Sequence, residues 1–293
     1  MPTANANGVS LEYQESGSGE PVVLVHGGIS DHRIWQSQRE ALGQRYRAIA
    51  YSCRYHWPNN PAPPDAEHAV VEHVDDLQAL VTVLGAAPAH LVGNSSGGLL
   101  CLIAAIRAPE LVRSLVLLEP FVLPLLVGVP PRPSELLQLA LRHPRTAAAI
   151  VQFGARGLGP ARAAFERGDL EAGLQLFTRA VLGPRGVEQM TEARREQARD
   201  NLDVLASQLT RGSFPSMKPD DVRRITVPTL LLSGEQSPPI MRLLTDRLHE
   251  LLPQAERVGI PGASHDAHVD NPSAVTDAAL KFLAQQATAL PVA

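Results

Sequence analysis

Three short groups of residues in this chain could together carry out acyl transfer. From Leu91 to Gly98 the chain reads LVGNSSGG, an apolar run that enters Gly93-Asn94-Ser95-Ser96-Gly97 and continues as a small-residue helical pattern. Glycines two before and two after a serine let the backbone turn sharply from strand to helix, which lifts the hydroxyl above the end of a sheet. Only Ser95 fits that frame, because Asn94 rather than glycine stands two residues before Ser96. A serine becomes nucleophilic at neutral pH when a base within hydrogen-bond reach takes its proton. His265, in the loop PGASHDAHVDNP after the final apolar run, is the candidate base, and His268 competes with it. After Val22–Val25 the chain reads His26-Gly27-Gly28-Ile29, where small residues let a backbone amide approach a bound oxygen. The amides of Gly28 and Ser96, with Ile29 as the alternative to Gly28, would form an oxyanion hole, a device in which each donor is worth ~3 kcal/mol. His26 reads as a residue that packs or hydrogen-bonds beneath this loop.

The third requirement is a carboxylate that holds the imidazole in one tautomer and stabilises the imidazolium. After Val227–Ser233 the chain reads Gly234-Glu235-Gln236-Ser237-Pro238, and the position three after the glycine, where an aspartate usually stands, holds Ser237. A hydroxyl cannot carry the charge. Glu119 follows the apolar run Ser114–Leu118 directly and meets the same requirement at another strand end. Glu119 is the favoured acid and Glu235 the alternative.

These residues need a frame of strands with their carboxyl ends aligned. Short apolar runs alternate with longer helical patterns, which predicts a mostly parallel sheet flanked by helices. Strands are expected at residues 8–14, Val22–Val25, Tyr46–Tyr51, His90–Gly93, Ser114–Leu118, Val227–Ser233 and Ala255–Ile260. Helices are expected over 65–84, 97–108, 239–252 and 272–287. In such sheets reactive loops follow the strand ends, where Ser95, Glu119, His265 and HGG all fall. From about residue 120 to 215 the pattern stays helical with no convincing strand, so the domain plan is a core of 1–119 and 216–293 interrupted by a helical lid of 120–215.

A hydrophobic fraction of 44% with 19% charged residues and a formal net charge of -4 describe an ordinary globular chain and argue against an electrostatic nucleic-acid partner. The first twenty residues lack a basic region followed by an apolar stretch, and no apolar run reaches membrane-spanning length, so a cytoplasmic enzyme is expected. Cys53 and Cys101 have no metal or redox spacing and read as buried thiols. No metal or other cofactor is called for. The oligomeric state is not encoded in any pattern found.

The segments HGG (26–28), GNSSGG (93–98), SLVLLEP (114–120) and IPGASHDAHVDNP (260–272) resemble the α/β-hydrolase superfamily across nearly the whole chain. That resemblance implies an α/β-hydrolase fold with a helical cap. One group of haloalkane dehalogenases is similar in placing its acid after the sixth strand, where Glu119 falls. Those enzymes and the epoxide hydrolases use aspartate as nucleophile, from which Ser95 departs. Pocket candidates are Ile29, Phe121, Phe153 and Phe177, together with Tyr55, His56 and Trp57 after the fourth strand, although each of these could equally pack beneath the pocket. The expected activity is cofactor-free hydrolysis of an ester or related acyl bond in a small, fairly apolar molecule. The alternatives are carbon-carbon bond hydrolysis, a lyase, isomerase or cyclase with His265 as base, and a ligand receptor.

Overall fold

The computed structural model describes residues 1–63 and 66–287. Its strands are β1 (Thr3–Ala6), β2 (Val9–Ser16), β3 (Pro21–Val25), β4 (Arg47–Tyr51), β5 (His68–Ala69), β6 (Ala89–Asn94), β7 (Val112–Leu118), β8 (Gly212–Ser213), β9 (Thr229–Gly234) and β10 (Glu256–Ile260). The helices are α1 (Gln36–Leu42), α2 (Val70–Val83), α3 (Ser96–Arg107), α4 (Pro133–Arg142), α5 (Pro144–Phe153), α6 (Gly159–Glu166) and α7 (Leu170–Gln189). They continue with α8 (Glu192–Asp200), α9 (Leu202–Arg211), α10 (Pro219–Arg223), α11 (Pro239–Leu251), α12 (Ala267–Asp270) and α13 (Pro272–Ala287). Eight strands form one sheet in the order β1-β2-β4-β3-β6-β7-β9-β10. The β1·β2 and β2·β4 pairs are antiparallel and the remaining pairs are parallel.

The central strands read as unbroken apolar runs because both of their faces are covered. Successive side chains point to opposite faces, so each strand feeds two cores. Val23, Val25, Ile49, Leu91, Leu115 and Leu117 join Leu77 of α2 and Leu99 of α3 on one side. On the other, Val22, Leu24, Ala48, Val92 and Val116 meet Leu42 of α1 and Phe282 of α13. Truncating a fully buried leucine such as Leu24 or Leu115 to alanine would cost about 2–5 kcal/mol.

Strand register then assembles the loops. In β3·β6, Val25 lies opposite Gly93, which sets the HGG loop beside the Ser95 turn. In β6·β7, Asn94 lies opposite Leu118, so Ser95 and Glu119 leave neighbouring strand ends together. In β7·β9 and β9·β10, Leu118 faces Leu232 and Gly234 faces Ile260, which brings the His265 loop to the same edge. The chain turns to opposite sides of β3 to form β4 and β6, and ligands of open parallel sheets bind at such a switch point.

Three expectations need correction. The helix expected from 65 begins instead at Val70, preceded by β5, and residue 65 itself lies outside the described residues. The stretch expected to lack strands contains β8, which pairs in parallel with β5 through His68↔Gly212 and Ala69↔Ser213. β1 was not expected, because Thr-Ala-Asn-Ala carries little strand propensity; it forms because Ala4 and Ala6 bury against α2 as β1 pairs with β2.

Between β7 and β8 the described chain is largely helical, and α7 kinks where Gly183 has φ 73° ahead of Pro184. Ile29 of the HGG loop packs into a cluster with Phe165, Leu174, Ala198 and Leu205 of these helices. Among the described residues no helix is long and apolar enough to cross a membrane. Cys53 and Cys101 are both free and buried.

Candidate active site

The Ser95 turn is dictated by crowding. A Cβ added at Gly97 would stand 2.3 Å from the Val25 carbonyl oxygen, and one at Gly93 would stand 2.6 Å from the Gly97 carbonyl oxygen, so neither position admits a side chain. Ser95 itself has φ 54° and ψ -119°, a strained conformation for a residue with a Cβ. The surroundings hold it there. Its amide donates to the Leu118 carbonyl at 3.0 Å, and its carbonyl accepts from the amides of Leu99 and Phe121 at 3.1 and 2.9 Å. Ser95 remains half-buried at the head of α3, where the first amides of a helix face outward without helical partners. Gly28 lies beside Ser96, since a Cβ on Gly28 would be 3.8 Å from the Ser96 Oγ.

Glu119 and His265 are brought together. The Glu119 Oε2 is 2.8 Å from His265 Nδ1, and both side chains are almost fully buried. The other carboxylate oxygen accepts from the Gly234 amide at 3.0 Å, and the Glu119 amide donates to the Leu232 carbonyl at 3.0 Å. Glu119 has φ 42°, so the acid too sits in a strained bend. With Nδ1 occupied, Nε2 is the nitrogen left to handle a proton. Asn94 Nδ2 donates to the His265 carbonyl at 3.2 Å and so ties this loop to the end of β6. Among the described residues no hydrogen bond joins Ser95 Oγ to His265; in unliganded sites such contacts commonly tighten only when substrate binds. Glu235 is exposed and does not meet His265. Ser237 is buried, and its Oγ has no hydrogen-bond partner.

The other histidines are accounted for separately. His26 donates from Nδ1 to the Gly27 carbonyl at 2.8 Å and accepts at Nε2 from the Cys53 amide at 2.9 Å, as expected of a residue supporting the loop. Burial, helped by nearby His56, pushes it down to about 3, so it stays neutral. His268 stacks on Trp35 with ring centroids 4.3 Å apart, and burial pushes it down to about 4. Its ring nitrogens are enclosed without hydrogen-bond partners, so neither meets Ser95.

Of the pocket candidates, His56 lines a cavity next to Ser96 and lies 3.3 Å from the Gly28 carbonyl. Phe121 meets Phe214, another residue of that cavity, at 5.9 Å, and meets Phe153 at 6.5 Å. Phe153 also borders a separate cleft beside Ser237. Tyr55, with φ 68°, sets its ring 5.4 Å from His68. Trp57 stacks with His32 and lies against the Arg33 guanidinium, Phe177 packs among the helices, and Ile29 is buried in their cluster.

The sequence reading missed Arg194. Buried in α8, it reaches Asp266 at 3.0 Å, the Ile29 carbonyl at 2.9 Å and Gln197. Burial alone would raise the Asp266 carboxyl; Arg194, His268 and His265 together outweigh it and hold the group below the usual carboxylate range. Gln197 and Asn201 extend the network to Asp31, whose carboxylate also binds Arg33. Nothing local marks Arg194, because α8 reads Glu-Ala-Arg-Arg-Glu-Gln-Ala-Arg-Asp and its arginines look alike.

The family model for the Alpha/beta hydrolase family matches residues 22–278. The chain is 34% identical over 126 residues to the uncharacterized hydrolase YraK of Bacillus subtilis (strain 168), which covers 43% of this chain and only 46% of that protein. It is 29% identical over 267 residues to the sn-1-specific diacylglycerol lipase ABHD11 of Mus musculus, covering 90% of this chain and 80% of that one. Among solved structures, a thermophilic esterase from Thermogutta terrifontis superposes with a TM-score of 0.74 at 20% identity, over 97% of this chain and 98% of the esterase.

Proposed function

Because the chain belongs to the alpha/beta hydrolase family, we propose that it is a serine hydrolase that cleaves an ester or related acyl bond of a small, largely apolar molecule. Ser95 Oγ attacks the substrate carbonyl while His265 Nε2 accepts its proton. The amides of Gly28 and Ser96 hold the oxygen that becomes negative. Glu119 keeps the Nδ1 proton in place and stabilises the imidazolium. Collapse of the tetrahedral intermediate breaks the acyl bond, and the leaving group takes the proton back from Nε2. Water then attacks the acyl-enzyme by the same route, releasing the acid and restoring Ser95.

The observation that carries this reading is the buried 2.8 Å contact between Glu119 and His265, with the second Glu119 oxygen held by the Gly234 amide. A histidine oriented in this way beside a strained serine turn is a device for activating a hydroxyl. The helices within 120–215 act as the lid over a core of 1–119 and 216–293, anchored through Ile29 and Arg194. They shield the oxyanion from water, where each donor counts for more.

The test is covalent labelling by a fluorophosphonate probe, with the modified residue located by mass spectrometry, beside turnover of a panel of small esters. Labelling at Ser95 that vanishes in Ser95→Ala, together with ester turnover, is expected. Equal turnover by Ser95→Ala would remove Ser95 as nucleophile. A protein that binds ligand but resists the probe would favour proton-transfer chemistry by His265 instead.

A further inference from the structure

Next to Ser96 and Gly27 lies a cavity of about 70 Å³ that the triad does not use. Leu99 and Phe214 give it apolar walls, Gln208 enters from α9, and His68 closes it on the β5 side. His68 is only 2% exposed, and neither of its ring nitrogens has a hydrogen-bond partner. The neighbouring His26 and His56, by contrast, set their ring nitrogens against backbone groups. A buried imidazole without partners is unfavourable unless something that enters the site satisfies it. The position of His68 is fixed on both sides of the fold, because it pairs with Gly212 in the β5·β8 ladder and Gly212 also lines the cavity.

Orientation follows from the proposed chemistry. The leaving group must reach His265, which returns a proton to it, whereas no residue of the 260–272 loop lines this cavity. The acyl arm is therefore the part of the substrate that runs past Ser96. We propose that His68 recognises this acyl arm, and that the arm is short and ends in a neutral group able to donate and accept a hydrogen bond, such as a hydroxyl or carboxamide. The inference rests on the serine-hydrolase reading and adds a substrate class to it.

Charge and size both limit the arm. Burial, then His56, Arg211 and Arg54, pull His68 down to about 4, so at neutral pH it offers one N–H and one lone pair. A carboxylate can use the N–H but would face the lone pair of a neutral ring at its other contact. A hydroxyl satisfies both. A water molecule requires about 10–15 Å³ by the same measure, so the cavity accepts an arm of a few non-hydrogen atoms.

The test compares kcat/KM of the wild-type protein for ethyl butyrate, ethyl 3-hydroxybutyrate and monoethyl succinate, which share one leaving group. The hydroxy ester is expected to exceed the plain ester by about tenfold or more, equivalent to about 1.4 kcal/mol, and the succinate to fall below both. His68→Phe should abolish the hydroxyl preference while fluorophosphonate still labels Ser95, and His68→Gln, which keeps a donor and an acceptor, should retain part of it. A wild-type protein with no hydroxyl preference overturns the proposal, whether or not the Phe variant folds. So does a folded Phe variant that keeps the preference. If the wild-type protein turns over none of the esters and Ser95 is not labelled, the underlying serine-hydrolase reading fails as well.

Discussion

Arg194 and Asp266 form a buried ion pair of 3.0 Å one residue beyond His265, and the same guanidinium donates to the Ile29 carbonyl one residue beyond Gly28. A single cation on α8 thus holds both the His265 loop and the HGG loop.

Replacing that cation exposes its contribution. Arg194→Met keeps the length of the side chain but leaves Asp266 buried without a partner, which is expected to cost about 3–5 kcal/mol in urea unfolding. The pH dependence gives the sign. Because the Asp266 carboxyl is held below its ordinary value of 3.8, its contribution is present above that value and is lost as pH falls through the lowered one. In the variant the unpaired carboxyl titrates high and is relieved by protonation. The stability gap between the two proteins should therefore shrink between pH 7 and pH 4; a gap constant with pH would show that Asp266 is not the group concerned.

The strain at Ser95 predicts that activity and stability separate. Ser95→Gly and Ser95→Ala should both lower kcat/KM by at least ~10³-fold. Only the glycine relieves φ 54°, so it should be the more stable of the two by about 1 kcal/mol after its greater unfolded-state entropy is offset. Thermal or urea midpoints of the two variants make the comparison.

Glu119→Gln preserves shape but removes the charge that supports the imidazolium, and kcat/KM should drop by about 10³–10⁴-fold. Ser237 offers a second place for the charge, since its Oγ would stand 2.7 Å from a Cβ on Gly234, the residue whose amide binds Glu119. Adding Ser237→Asp to Glu119→Gln should recover about tenfold or more of the lost rate. Ser237→Asp alone should destabilise the protein, because two carboxylates would then share one buried site. Steady-state rates of the single and double variants decide the matter.

Acid sensitivity follows from histidines buried as neutral rings, His26 and His268 among them. His26 is pushed down to about 3 and His268 to about 4, against 6.5 in an open chain. For each, stability is fully present above 6.5 and is lost as pH falls towards the folded value. Near pH 5 the unfolded chain binds about two more protons at these two sites, which by themselves contribute a decline of roughly 3 kcal/mol per pH unit, to which His68 adds. His268→Phe, which can still stack on Trp35, should lower proton uptake on unfolding by about one, as read from urea midpoints at pH 5 and pH 6.

Much of the candidate site was legible because each element of it ends an apolar run. Ser95 follows β6, Glu119 follows β7, HGG follows β3 and His265 follows β10, and strand runs are a local signal. Register between parallel strands is not local, yet any in-line arrangement of those ends gathers the four loops. The pairing of His265 with Glu119 rather than Glu235 depends on the strained bend at Glu119, which no propensity signals. What stayed hidden depends on contacts between distant segments. His68 enters a strand only because Gly212 pairs with it, and Arg194 is distinguished from Arg195 only by what its side of α8 meets. Aromatic residues at helical spacing do not announce whether they face a cavity or each other. Phe121 approaches the cavity through Phe214, whereas Phe177 packs among the helices and Trp57 packs against Arg33.

Ser95, Gly28 and Glu119 all precede the helical block, and His265 follows it. Synthesis runs from the amino terminus, so on the proposed mechanism the ribosome releases the nucleophile, the oxyanion amides and the acid well before the base. Until β10 settles beside β9, the proposed base cannot reach Ser95, whose hydroxyl is then expected to react as an ordinary alcohol. Reactivity then marks the docking of the last strand. In a cell-free translation reaction, the first moment at which a phosphonate probe captures the chain would time the completion of folding.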